Sequence, residues 1–330
     1  MKGVIRLVRM ASPFELCDAP VTALPGYRRT FGTGRMTLGL MLPVDAGRPE
    51  TPDVDPHAQI EMIRKAEAGG VAAVYLRDIP LRDPDFGDVG QVWDPFVYLG
   101  YVAASTSEIA VGTAAVVVPV RHPLHLAKGA ASVDRLSGGR FLFGVATGDR
   151  SSEFPAFGVE EGDRGEVFRE HLGVMNRAWT TERKGIRWSG GRMWGGDIVP
   201  KPTAVRPPLI TVGSCQQSMA WNAEHSDAWL TYHRDPVTQA KYLAQWRELA
   251  GPDKPFAQSM SLDLHPDPDA PPATIKFGYR VGRNCLVQLL MDLEKMGVDH
   301  VVLGFKRGTR PAPDMLDELL EYVVPTLALS

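Results

Sequence analysis

Apolar residues in this 330-residue chain gather in short runs without polar alternation, each followed by a loop and then a segment with helical periodicity. Such runs suit parallel strands buried on both faces, because a strand with one solvated face alternates instead. Eight are present: 38–43 (LGLMLP), 71–77 (VAAVYLR), 109–118 (IAVGTAAVVV), 141–146 (FLFGVA), 209–213 (LITVG), 227–232 (DAWLTY), 258–264 (QSMSLDL) and 298–305 (VDHVVLGF). Helices are predicted between them. Asp55 before Pro56 reads as an N-cap with proline in the first turn, Ile60, Ile63 and Ala66 form a stripe, and Gly69 ends it. Phe168, Leu172, Met175 and Trp179 mark a second helix. Leu286, Leu289, Leu290, Leu293 and Met296, closed by Gly297, mark a third.

Eight strand-helix units predict a closed (β/α)8 TIM barrel, which takes ~250 residues. The structural alternative is an open doubly wound sheet, but its GxGxxG fingerprint is missing, since the first run is followed by VDAGRPETPD. Residues 1–36 read as a polar, proline-broken lead-in and 37–330 as a single barrel with insertions at 180–208 and 265–284. The second insertion follows the seventh strand and so falls on the face where barrel enzymes work. Both long segments are expected to act as lids.

Charge narrows the partners. Lys plus Arg number 36 against 39 Asp plus Glu, a net charge of -3, which gives no basic field for nucleic acid or an anionic membrane. No apolar run reaches the ~18 residues of a membrane span. Arg6 and Arg9 interrupt the first apolar stretch, so a secretory signal is not expected. Cys17, Cys215 and Cys285 are odd in number with no Cys-x-x-Cys, which fits a reducing cytoplasm. His122 and His125 lack a carboxylate partner at usable spacing, so no metal site is expected.

The strand C-termini carry Arg77 and Asp78, Arg121 and His122, Thr147 to Arg150, Ser214 to Ser218, His233 and Arg234, His265, and Lys306 and Arg307. Together they outline a rim that suits an anionic ligand. GSCQQS at 213–218 lies between a strand and a helix, where backbone N–H groups can hold a phosphate; the plainer alternative is an N-cap. Phosphate sites in barrels more often follow strands 7 and 8, whereas this loop follows the fifth. No GxSxG is present, and Cys215 reads equally as a buried small group or a reactive thiol.

The block GTAAVVVPVRHPLHLAKGAASVDRLSGGRFLFGVATGD at 112–149 resembles the luciferase-like monooxygenase family, flavin- or deazaflavin-dependent barrels of the bacterial luciferase type. The likeness continues through FPAFGVEEGDRGEVFRE, ITVGSCQQSMAW and GVDHVVLGF, spans about residues 37–325, and points within the family to an uncharacterised subgroup. It implies that Ala114 and Ala115 form a non-prolyl cis pair beneath a flavin ring. It also implies that Thr147, with Gly148 beside it, and Gly213, Ser214, Cys215 and Ser218 contact the cofactor phosphate, which supplies a reason for a loop after the fifth strand. Two departures stand out. Thr147 occupies a position that is arginine in luciferase, and the catalytic histidine after the second strand falls on Ile79, beside Asp78. Aldehyde-dependent light emission is therefore not expected, and Asp78, His233 and Arg307 become the catalytic candidates.

The resemblance implies a flavin-dependent oxidoreductase, a monooxygenase using reduced FMN and O2 on a small organic substrate, with reduced flavin arriving from a separate flavin reductase. One alternative is hydride transfer with the deazaflavin coenzyme F-420, whose longer acidic tail would draw on Arg280, Arg283 or Arg307. The other is a non-catalytic flavin-binding protein. A homodimer is expected by resemblance.

Overall fold

A computed structural model describes residues 12–44, 54–83 and 93–329. The eight barrel strands are β1 (Thr37–Leu42), β2 (Ala73–Leu76), β3 (Ala110–Thr113), β4 (Phe141–Ala146), β5 (Leu209–Val212), β6 (Ala228–Tyr232), β7 (Phe256–Leu264) and β8 (His300–Gly304). Each pairs in parallel with the next, and β8 pairs with β1, so the sheet closes. Closure leaves the barrel no open edge, and the expected (β/α)8 architecture is the one observed.

Successive residues on each strand divide between two cores. Ala73 and Tyr75 of β2 point inward with Ala110, Leu142, Ile210, Ala228, Leu230, Ala257 and Val302. Val74 and Leu76 face the surrounding helices. The inner layer is built on missing side chains: a Cβ on Gly39 would lie 2.7 Å from His300 Nε2, and one on Gly112 would lie 2.8 Å from the Tyr75 ring. Tyr75 and His300 fill that space, with ring centroids 5.6 Å apart. Burial drives the His300 pKa down to about 3, so it is a neutral core residue bonded through Nδ1 to Thr37 Oγ1 at 2.7 Å.

The outer ring includes α2 (Pro56–Ala68), α3 (Pro95–Ser105), α4 (Pro123–Leu136), α6 (Arg164–Thr180), α7 (Met219–His225), α8 (Pro236–Ala250) and α9 (Arg283–Met296), with the single turn α5 (Glu153–Ala156) ahead of α6. The stripe Ile60, Ile63 and Ala66 is buried, Asp55 Oδ1 accepts from His57 N–H at 2.8 Å, and Gly297 closes α9 at φ +105°. His122 caps α4 through Nδ1. Removing the α2 cap by Asp55→Ala is expected to lower stability by about 1 kcal/mol in urea denaturation.

Four features depart from the pattern read along the chain. Part of the lead-in is structured: α1 (Pro25–Phe31) closes the N-terminal end of the barrel, with Phe31 packed on the inner layer and edge-on to His300 at 5.8 Å. The run 109–118 is not one strand. It breaks after β3, and Val116–Val117 pairs with Val145 and Ala146 of β4.

Neither long segment is a simple lid. The segment from 180 to 208 folds as a hairpin (Ile186–Trp188 with Gly191–Met193) on the outer wall. There Glu170 of α6 holds Ser189, and the Trp188 ring meets His122 at 5.6 Å. Buried Lys201, bonded to Ala178 O, Thr181 O and Asp197, ties its return path down. The segment from 265 to 284 forms a hairpin (Ala273–Ile275 with Gly278–Val281) whose second arm pairs in parallel with the C-terminal half of β7. A segment held by backbone ladders and a buried ammonium is part of the wall.

Candidate active site

The C-terminal ends of β3, β4 and β5 are neighbours and bring the cofactor candidates together. The peptide bond between Ala114 and Ala115 is cis. Pairing of Val116–Val117 with β4 sets this bond beside Thr147 and Gly148, where a Cβ on Gly148 would fall 2.7 Å from Val117 Cγ1. Cys215 Sγ, below β5, donates to Val145 O of β4 at 3.3 Å. Burial pushes the Cys215 thiol up to about 12, so this cysteine packs as a small apolar group and is no nucleophile.

Loop 213–218 turns through three left-handed residues, Gly213 at φ +69°, Cys215 at +53° and Gln216 at +53°. Its carbonyls point into the protein. Gly213 O accepts from Trp229 Nε1 at 2.7 Å, Ser214 O from Asn222 Nδ2 at 3.0 Å, and Cys215 O from Gln217 Nε2 at 3.1 Å. Gly213 N–H donates to Leu230 O at 2.9 Å, Gln216 N–H to Ser214 Oγ at 3.3 Å and Gln217 N–H to Ser214 O at 2.9 Å, so among the described residues the N–H groups of Ser214, Cys215 and Ser218 are the ones left to receive an anion. A Cβ on Gly213 would meet nothing within 4 Å, so there is room beside the loop. Ser218 caps α7 by accepting from Trp221 N–H at 3.1 Å. Positive charge lies close by, since Arg169 Nη1 of α6 donates to Gln217 Oε1 at 2.8 Å.

Asp78, at the end of β2, is buried and bound on several sides. Its N–H donates to Ala115 O at 3.2 Å, and Oδ2 accepts from Val117 N–H at 3.1 Å. Asp78 therefore holds the backbone that follows the cis pair, by its own N–H and by its carboxylate. Arg121 binds it with Nε and Nη2, both at 2.7 Å, and reaches Asp94, the α3 N-cap, at 2.9 Å. Burial works against the Arg121 cation, but Asp78 and then Asp94 outweigh it and raise its pKa. A carboxylate held this way fixes backbone; it is poorly placed to carry a proton to a ligand.

His233 and Arg307 lie elsewhere on the rim, after β6 and β8. His233 is half-buried, its ring edge-on to Tyr279 of the second hairpin at 5.0 Å. Arg307 is exposed, and its charge acts on Lys306. Burial, followed by Arg77, Arg307, Arg150 and Lys276, lowers Lys306 to about 8. Tyr232 at the end of β6 stacks on Phe277 of the hairpin at 4.8 Å, and its phenol is influenced by Asp149, Arg77 and Arg150. The rim thus has a cradle side at β3–β5 and a cationic side where β2, β4, β8 and the hairpin approach.

Residue type and spacing do not single out Asn222, Arg169, Gln239 or Gln258; Gln258 opens an apolar run and Arg169 lies in the family-like stretch 154–170. Among the described residues, no group of three or more His, Cys, Asp or Glu could hold a metal ion, and no helix is long and apolar enough to cross a membrane.

Fold and rim define a closed (β/α)8 barrel with a cis peptide and a left-handed loop at the C-terminal ends of its strands. The comparisons with known proteins are specific. A model of the luciferase-like monooxygenase family matches residues 36–270, and the chain belongs to that family. An uncharacterized protein of Mycobacterium tuberculosis is 34% identical over 230 residues, covering 62% of this chain and 79% of that protein. Pyrimidine monooxygenase RutA of Stutzerimonas stutzeri is 29% identical over 175 residues, 50% of this chain and 47% of RutA. Among solved structures, monooxygenase RslO1 from Streptomyces bottropensis superposes with a TM-score of 0.74 at 18% identity, covering 88% of this chain and 99% of that one. A secondary alcohol dehydrogenase dependent on coenzyme F-420 gives 0.72 at 17% identity, covering 89% and 99%. At those identities the superpositions speak for the fold.

Proposed function

We propose that the protein is a flavin-dependent oxidoreductase, a monooxygenase that holds reduced FMN at the ends of β3, β4 and β5 and acts with O2 on a small organic substrate. The observation that carries this reading is the left-handed turn of loop 213–218, whose Gly213 and Ser214 carbonyls bond to buried Trp229 and Asn222 while the N–H groups of Ser214 and Cys215 keep no partner among the described residues. The residues present fit the group. Loop 213–218 and Thr147 would receive the phosphate, Arg169 would supply nearby charge, and the cis pair 114–115 with Gly148 would floor the ring.

When bound, FMN supplies electron transfer and the reaction with O2. The chain's own part is to orient and to exclude water: Asp78 and Arg121 keep the cis segment in place, and Tyr232 with Phe277 covers the rim. Against the deazaflavin, Arg283 is tied to Glu318 at 2.8 Å and Arg280 to Asp263 at 3.4 Å, so two of the three cations considered for an acidic tail are engaged. One relative is the oxygenase component of a flavin-dependent trigonelline monooxygenase from Acinetobacter baylyi. That supports supply of reduced flavin by a separate reductase. A cytoplasmic homodimer completes the reading.

Stopped-flow mixing with O2 tests it. Reduced FMN with excess protein should reoxidise at a rate at least about tenfold different from that of free reduced FMN, a change of ~1.4 kcal/mol in barrier. Identical traces with FMN, or binding of the deazaflavin alone, would reject the monooxygenase reading; tight FMN binding without altered reoxidation would favour a flavin-binding protein.

A further inference from the structure

Two glutamines lie fully buried behind the β6 end, Gln258 on β7 and Gln239 on α8. An unpaired buried amide group costs ~1–3 kcal/mol, so their partners matter. Gln239 Nε2 donates to Gln258 Oε1 at 2.7 Å. Gln258 Nε2 then faces His233 Nδ1 at 3.0 Å. The row has a direction. Were both amides turned over, Gln258 would accept from an Nδ1–H, and Gln239 would be left with an unpartnered NH2. In the structure the unpartnered atom is Gln239 Oε1. A carbonyl short of partners is better tolerated than an orphaned donor, so the observed direction is favoured. That direction would make Nδ1 of His233 the acceptor and put the ring proton on Nε2.

We propose that Gln258, backed by Gln239, is a positioning residue that holds His233 as the neutral Nε2–H tautomer, so that this ring offers a hydrogen-bond donor to an electron-rich oxygen or nitrogen of a ligand in the barrel mouth. His233 is then a donor and not a general base. Only the ligand's place in the mouth rests on the flavin reading; the tautomer concerns the chain alone.

The surroundings agree. His233 N–H donates to Ser259 O at 2.9 Å, which fixes the backbone beside Gln258. The groups around the ring are Gln258 from β7, Tyr279 from the hairpin, and Asp235 and Arg234 on its own segment. Asp235 and Arg234 act in opposite directions, and burial, the largest influence, lowers the His233 pKa. Protonating Nδ1 would set its N–H against the Gln258 NH2, which works the same way.

Long-range 15N histidine NMR on the full chain without flavin tests the proposal, with the His233 signals assigned by their loss in His233→Asn. The expected result is a single Nε2–H tautomer from about pH 8 downward, with protonation below the ordinary histidine range. Gln258→Glu, whose carboxylate accepts from Nδ1–H, should move the proton to Nδ1 and raise the midpoint above ~6.5. Gln258→Met keeps the volume without the amide and should give mixed tautomers; it serves where a buried glutamate prevents folding. An Nδ1–H tautomer in the unsubstituted protein, or a tautomer unchanged by whichever Gln258 variants fold, overturns the proposal. Because no flavin is present, failure of FMN to bind would refute the functional reading and leave this result standing.

Discussion

Asp78→Ala is expected to lower folding stability by about 3–5 kcal/mol in urea denaturation, the loss seen when one partner of a buried ion pair is removed. The size follows from how much the carboxylate holds. It accepts two hydrogen bonds from Arg121 and one from Val117 N–H, and among these groups only Arg121 has a second anion, Asp94. Retention of Asp94 places the effect toward the lower end of the range. The double variant Asp78→Ala with Arg121→Met should recover part of the loss, since it leaves no guanidinium stranded. A loss under about 1 kcal/mol, the scale of an exposed pair, would mean that the hold of Asp78 on residues 115–117 is not structural.

Ser214→Asp is expected to weaken FMN binding at least about 100-fold, or ~2.7 kcal/mol, while riboflavin binding changes less than about threefold. A carboxylate placed ~4 Å from a phosphate charge is repelled by roughly 4 kcal/mol at an effective dielectric of 20, and solvent at this exposed loop reduces that figure without cancelling it. Riboflavin lacks the phosphate, so its binding separates repulsion from a collapsed loop. Equal losses for both ligands would place the damage in the loop's fold and leave the cradle without support.

Much of the barrel was legible because burial on both faces of a parallel strand leaves a local record. All eight apolar runs contain a barrel strand, and the Asp55 cap and the Gly297 stop lie where the residue types put them. The break in the third run was not legible from hydrophobicity, because valines flank it on both sides and a cis bond changes no side chain; the family resemblance alone pointed to Ala114 and Ala115. The hold of Asp78 on that backbone depends on Arg121, 43 residues away in sequence. The role of Gln258 depends on contacts with α8 and β6 that only the closed sheet creates. Segment length suggested lids, yet length carries no information about the ladder that binds the second hairpin to β7 or the buried Lys201 that anchors the first excursion.

The central claim is that the loop after β5 and the end of β4 receive the phosphate of FMN. An amide NMR titration of the uniformly 15N-labelled chain addresses it residue by residue. FMN is expected to shift the N–H signals of Thr147 and residues 214–218 with one saturating curve, and riboflavin at equal concentration is expected to leave those signals in place. Shifts confined to other parts of the barrel, or the same shifts with riboflavin, would contradict it.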